Sequence, residues 1–328
     1  MNKSRVRAVE EAVSRFPQYG NRTLARYLID TQGILFDNDL EKARTTVRYV
    51  RGANGYRARG RAGSSGVLQF REDVNMPETW RKVRAEYHLG AGLWLFIADL
   101  HVPFHEPKAI EAAVGYAKKH KVNGVFINGD FMDDAALGFW GTARRDWNKE
   151  VEAGIDMLDW LRKEFGNRVK FVYKPGNHEY RLPRYFISNA PELALSPLAA
   201  METVMDFEWR GIDFLDYYQL VFAGELPVLH GHEVRNITRS VNPARGLFLR
   251  TKTFSMCAHC HSTSDHCPRS LTGKLLTTWS MGCLCHLSPD FSPYGNDWNW
   301  GFALVHVEKN GRFEVENRRI MEGSGRVV

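Results

Sequence analysis

Over the first 50 positions, apolar residues recur every three to four places. Val6, Val9, Ala12, Val13 and Phe16 mark one helical face, closed by Pro17 and Gly20. Asn21 or Thr23 is expected to cap a second helix through Leu24, Tyr27, Leu28 and Ile29, ending near Gly33. Asp37 to Asp39 open a third, in which Leu40, Ala43, Val47 and Val50 share a face that excludes Arg44, Arg48 and Arg51. Three short helices over residues 1–51, the last arginine-rich, suit a helix-turn-helix unit and equally a small bundle that contacts a partner. Residues 52–90 read as a linker, rich in Gly, Ser and Arg, or as an arm that orders on binding.

Near residue 91 the period changes. Short apolar runs, Leu93 to Ala98, Val122 to Asn128 and Val169 to Tyr173, alternate with helical stretches at 106–120 and 146–165. That alternation predicts an α/β fold with polar residues gathered at the C-terminal ends of the strands. Beyond residue 205, strand-like segments follow at Phe214 to Phe222, Pro227 to Leu229, Thr253 to Met256, Leu275 to Met281 and Phe302 to Val307. A layered α/β sandwich over 91–328 is the economical arrangement.

Composition narrows the class. Hydrophobic residues make up 44% of the 328 and charged residues 25%, ordinary for a water-soluble enzyme. The longest apolar run is far too short to span a bilayer, and no apolar stretch follows the basic N-terminus as a secretory signal requires. A cytoplasmic protein without membrane contact is expected. The net charge of +6 is unevenly spread: residues 1–90 hold 17 Lys/Arg and 10 Asp/Glu, a balance of +7, leaving −1 for the rest. Lys42 to Arg61 carries seven basic residues and no acid. Such a run favours a polyanion through counterion release, which makes Arg44, Arg48, Arg51, Arg57, Arg59 and Arg61 candidate nucleic-acid contacts. A solvated basic face is the plainer alternative.

The chemistry lies in five short clusters, each after an expected strand: Asp99-Leu100-His101, Gly129-Asp130-Phe131-Met132-Asp133, Gly176-Asn177-His178-Glu179, His230-Gly231-His232 and His259-Cys260-His261. Any one alone is weak; five in this order are hard to assign to chance. Phosphoesters resist attack because their anionic oxygens repel nucleophiles, and paired cations roughly 3.5–4 Å apart neutralise those oxygens and generate hydroxide at neutral pH. Imidazole, carboxylate and amide ligands together suit Mn²⁺ best, and also Fe or Zn²⁺, over Mg²⁺ or Ca²⁺. The five cysteines, Cys257, Cys260, Cys267, Cys283 and Cys285, raise the rival reading of a structural zinc knot.

This ordered set resembles the calcineurin-like metallophosphoesterase superfamily over roughly residues 93–265. The resemblance implies a four-layer α/β/β/α sandwich carrying the small helical unit at its N-terminus, and two divalent metal ions. Asp99, His101 and His261 would hold the first, Asn177, His230 and His259 the second, and Asp130 would bridge them. His178 would stabilise the transition state or protonate the leaving oxygen, with Asp133 or Glu179 orienting an imidazole. The chain departs from the family at Ala258 and Cys260, where Gly-His-x-His is usual. His232 competes with His230, and the His-Gly pattern favours His230. Asp134-Ala135 stands where the phosphoprotein phosphatases carry Arg-Gly, so Arg144, Arg145 or Arg181 would have to contact the phosphate. Aromatic residues between Asp290 and Phe302 form either a wall for stacking bases or a loop over the core. A metal-dependent nuclease is the favoured function. The alternative is a phosphatase or phosphodiesterase on a small molecule or phosphoprotein, with the N-terminal unit as a docking or dimerisation module in a homo-oligomer.

Overall fold

The computed structural model describes residues 3–51, 85–138, 146–238, 240–289 and 294–328. Arg57, Arg59, Arg61, Arg144 and Arg145 lie outside the described residues. The chain divides into two compact units, Met1–Arg81 and Lys82–Val328.

In the first unit, α1 (Lys3–Arg15), α2 (Asn21–Gln32) and α3 (Leu40–Val50) bury Val9, Ala12, Leu24, Leu28, Phe36, Ala43 and Val47 in a common core. The apolar spacing supplies that stripe and the caps set its limits. Asp39 caps α3 by accepting from the backbone N–H of Glu41 and Lys42. Asn21 begins α2 rather than capping it, and its Oδ1 accepts from Arg51 Nη1 at 2.8 Å. Arg51 also reaches the Pro17 carbonyl, so it ties the end of α3 to the turn before α2. Arg44 pairs with Glu41 at 3.1 Å. Arg48 is exposed and makes no such bond among the described residues.

The second unit stacks two six-stranded sheets. The central sheet runs β12-β11-β2-β3-β4-β5, and its four strands β2 (Gly92–Ile97), β3 (Gly124–Asn128), β4 (Lys170–Lys174) and β5 (Ile212–Phe214) are parallel. β11 (Trp300–Val307) and β12 (Phe313–Ile320) extend it antiparallel beyond β2. β2, β3 and β4 are largely buried on both faces, which is why they read as unbroken apolar runs. Leu95, Ile97, Val125, Ile127, Phe171 and Tyr173 face α4 (Pro107–Lys119) and α5 (Trp147–Phe165). Trp94, Phe96, Phe126 and Val172, one position out of phase, face the second sheet.

That sheet runs β1-β6-β7-β8-β10-β9, with β1 at Glu86–Leu89, β6 at Leu220–Ala223, β7 at Leu226–Val228, β8 at Ser255–Cys257, β9 at Ser264–His266 and β10 at Thr278–Ser280. Its outer layer is a single nine-residue helix, Pro243–Thr251, with Leu247 against Ile237 and Cys257. The sandwich is thus α/β/β/α with a thin fourth layer.

Three local expectations change. Glu86–Leu89, expected to be linker, pairs in parallel with Leu220–Ala223. The run Phe214 to Phe222 is two strands in different sheets, separated by a turn in which Gln219 N–H donates to the Asp216 carbonyl. β12 gave little signal because Ile320 is its one buried residue, as befits a polar edge strand. No helix of the described residues is long and apolar enough to cross a membrane.

Candidate metal centre

All five clusters sit just beyond the C-terminal end of a strand: Asp99 and His101 after β2, Asp130 after β3, Asn177 and His178 after β4, His230 after β7, His259 and His261 after β8. The backbone there is strained. Asp99, His101, Asp130, His259 and His261 have φ of 53°, 49°, 48°, 65° and 55°, a left-handed conformation that costs an L-residue energy and marks functional turns. Two glycines let the clusters meet. A Cβ on Gly176 would lie 2.3 Å from Asp130 Oδ1, and one on Gly129 2.5 Å from His230 Nδ1.

The side chains converge on Asp130 and Asp99. His230 Nε2 is 3.2 Å from Asp130 Oδ2, and His259 Nδ1 and His178 Nε2 each lie 3.9 Å from it. His261 Nε2 is 3.4 Å from Asp99 Oδ1 and 3.1 Å from His101 Nε2. Asp99 and Asp130 also anchor the turns: Asp99 Oδ2 accepts from His259 N–H and Asp130 Oδ1 from His178 N–H. Among the described residues, Asp99 Oδ1, Asn177 Oδ1 and His230 Nε2 are buried without a hydrogen-bond partner of regular geometry. Buried polar atoms are ordinarily satisfied, so orphaned ones on converging metal-type ligands fit cations well.

The imidazoles are oriented for that task. His230 Nδ1 donates to the Asn128 carbonyl at 2.6 Å, which turns Nε2 toward Asp130. His101 Nδ1 lies 3.0 Å from Asp133 Oδ1, which leaves its Nε2 bare toward His261. Burial alone would lower the pKa of His230, but the Asp130 and Asp99 carboxylates raise it to about 10. Burial likewise opposes charge on His261, and Asp99 raises it to about 9. A pocket whose carboxylates favour protonated imidazoles this strongly is a pocket that favours cations. His230 is the buried member of its pair; His232 Nδ1 lies 3.6 Å from Glu233 Oε2 rather than against Asp99 or Asp130, and burial lowers its pKa to about 4.

The expected supporting roles divide unequally. Asp133 orients imidazoles, 3.0 Å from His101 Nδ1 and 3.3 Å from His178 Nδ1. Glu179 orients none. It accepts from the backbone N–H groups of Asp130, Phe131, Met132 and Gly176 and from Tyr173 Oη, so it clamps two site loops together. Arg181 is turned onto the catalytic candidate: Nη1 donates to the Asp133 carbonyl at 2.7 Å and Nη2 to His178 Nε2 at 3.2 Å.

The cysteines form no knot. Among the described residues no three thiols gather within ligand range; Cys285 alone joins such a group, with His101 and His261, and its Sγ is 4.0 Å from His261 Nδ1. The aromatic segment splits. Phe302 is core, Tyr294 is exposed, and Trp298 lies edge-on to His261 with ring centroids 4.1 Å apart. Phe291 lies outside the described residues.

Sequence reasoning set Cys285 in a possible zinc knot rather than beside His101 and His261, and missed the choice of Trp298 among the aromatics and a buried ion pair, Lys174 with Glu233 at 2.8 Å. Glu233 also accepts from the N–H groups of His230 and Gly231, so the pair fixes the His230 turn. These residues carry no motif; only the proximity created by folding reveals them.

The chain is 27% identical over 248 residues to the Gene 54 protein of Mycobacterium phage L5, an alignment covering 68% of this chain and 96% of the relative. The Gene 54 protein of Mycobacterium phage D29 is 27% identical over 246 residues, 67% of this chain and 95% of that one. Among solved structures, a metallophosphoesterase from Sphaerobacter thermophilus matches at 15% identity and TM-score 0.38, over 70% of this chain and 88% of the other. A dimetal phosphatase from Danio rerio matches at 12% identity and TM-score 0.35, over 69% and 95%. The model of the calcineurin-like phosphoesterases matches residues 94–280, which contain all seven candidate ligands and His178. The chain therefore belongs to the calcineurin-like phosphoesterase family.

Proposed function

We propose that this protein is a two-metal phosphodiesterase that acts on nucleic acid. The observation that carries the reading is the convergence of two carboxylates and four imidazoles at the strand ends, with Asn177 Oδ1 buried and without a hydrogen-bond partner on the same turn as His178. Asp99, His101 and His261 would hold one divalent ion, Asn177, His230 and His259 the other, and Asp130 both. Mixed nitrogen and oxygen donors suit Mn²⁺ first, then Fe or Zn²⁺. Ions held there would neutralise the phosphate oxygens and lower the pKa of water.

The chain's own groups do the rest. His178 lines the same cavity as Asp130, and its Nε2 is placed to hydrogen-bond a phosphate oxygen or to hand a proton to the leaving oxygen. Asp133 fixes the other side of that ring. Arg181 must turn from Nε2 toward the phosphate for the proton to pass, which gives it a positioning role at rest and a charge to offer substrate.

The nucleic-acid part rests on the charge of residues 1–90 and on the exposed Arg48. A second reading has a specific observation behind it. Arg44 and Arg51 are engaged within their own unit, which favours a docking or dimerisation module on a phosphatase for small molecules or phosphoproteins. Hydrolysis with Mn²⁺ of bis-p-nitrophenyl phosphate and of labelled single- and double-stranded DNA and RNA, wild type against Asp130→Ala, separates them. Nucleic-acid cutting that the variant lacks supports the nuclease. Cleavage of the small diester alone sinks it in favour of the second reading.

A further inference from the structure

The cavity at the metal centre is lined by His101, Asp130, His178 and His261 and also by Phe104, Trp298, His286 and Ser288. It encloses about 420 Å³, room for a ligand larger than a phenyl ring. The aromatic wall is tied to the site by main-chain bonds. Asn299, next to Trp298, donates to the His261 carbonyl at 2.8 Å, and His286 N–H donates to the Phe104 carbonyl at 2.9 Å. His105 and Cys285 form an antiparallel bridge behind them. Phe104 leaves 44% of its surface open.

We propose that this wall is a nucleobase subsite: a nucleotide whose phosphate sits at the metal centre lays its base against Trp298 and Phe104. This rests on the phosphodiesterase reading and deepens it. Trp298 lies in contact with the candidate ligand His261, so whatever a bound phosphate carries meets the indole first. Aromatic faces accept any base, because every base has a π-face to stack. The rim supplies what a purely apolar aryl group would not need. His286 Nδ1 accepts from Ser288 N–H, which leaves Nε2–H as the ring's donor for a base heteroatom. The subsite takes one base and reads no sequence beyond it.

Calorimetric titration of full-length, Mn²⁺-loaded protein with adenosine 5′-monophosphate, ribose 5-phosphate, phenyl phosphate and inorganic phosphate tests this. The nucleotide should bind roughly tenfold or more tightly than ribose 5-phosphate, the size of one stacked base. Trp298→Ala should collapse that ratio toward one and Trp298→Phe should keep most of it. Phe104→Ala should reduce it as well and decides the matter if Trp298→Ala does not fold. Equal affinity for nucleotide and ribose 5-phosphate, or a ratio that survives both alanine variants, overturns the subsite. So does phenyl phosphate binding as tightly as the nucleotide, which would make the wall an aryl slot. Hydrolysis of bis-p-nitrophenyl phosphate by the same preparation reports on the phosphodiesterase reading separately, because its loss leaves the binding ratios readable.

Discussion

His178 is held on three sides: its N–H donates to Asp130 Oδ1, its Nδ1 to the Asp133 carbonyl, and its Nε2 accepts from Arg181. Replacing it with Ala should cut kcat by roughly 10²–10⁴-fold with metal content, measured by mass spectrometry, unchanged. If Arg181 acts through this ring, the double variant His178→Ala/Arg181→Gln should be no slower than His178→Ala alone. Asp134 poses a different problem. Burial and then the nearby Glu179 carboxylate raise its pKa to about 8, and its Oδ2 is unpartnered. Because the folded value lies above the ordinary 3.8, the folded state binds the extra proton. Stability from this group is therefore complete below about pH 4 and lost as pH rises toward 8. Asp134→Asn, which keeps the left-handed backbone that Asn tolerates, should match wild type near pH 4 and melt progressively higher than it up to pH 8. Parallel melting curves across that range would show that Asp134 is ionised in the folded protein.

At the level of elements, the site is a set of strand ends, and what varies is how each turn is held. Glu179 clamps the turn after β3 to the turn after β4. Lys174, at the end of β4 in one sheet, reaches Glu233, beyond β7 in the other. Lys174 is fully buried, and a buried pair stripped of one partner leaves an uncompensated charge costing about 3–5 kcal/mol. Lys174→Met should lower thermal stability accordingly, and adding Glu233→Gln should recover part of the loss. A double variant less stable than the single would show that the ion pair is not what makes Lys174 necessary. The strands themselves were readable because β2, β3 and β4 are largely buried on both faces, giving runs such as Val125-Phe126-Ile127. β12 was not, because one face of an edge strand meets water.

For the whole molecule, metal binding and folding should be linked, since the candidate ligands come from the ends of strands in both sheets. Chelation should lower the melting temperature of the Lys82–Val328 unit, and Mn²⁺ at 100 times its Kd should restore about 2.7 kcal/mol, a few degrees for a unit of this size. An unchanged melting curve would mean the site does not bind Mn²⁺ in the folded state. The amino-acid sequence by itself determined the α/β alternation, the helical N-terminal segment and the ordered ligand clusters. Periodicity and strand-end chemistry are local, and they survive in a one-dimensional string. Only the tertiary structure decided that Glu179 serves the backbone and Asp133 the imidazoles, that Arg181 rests on His178, that Lys174 meets Glu233 across the sheets, and that Trp298 faces the site while Phe302 joins the core. Most of those choices depend on which side chains meet across tens of residues, and the packing of two sheets sets that proximity, which no spacing in the chain encodes.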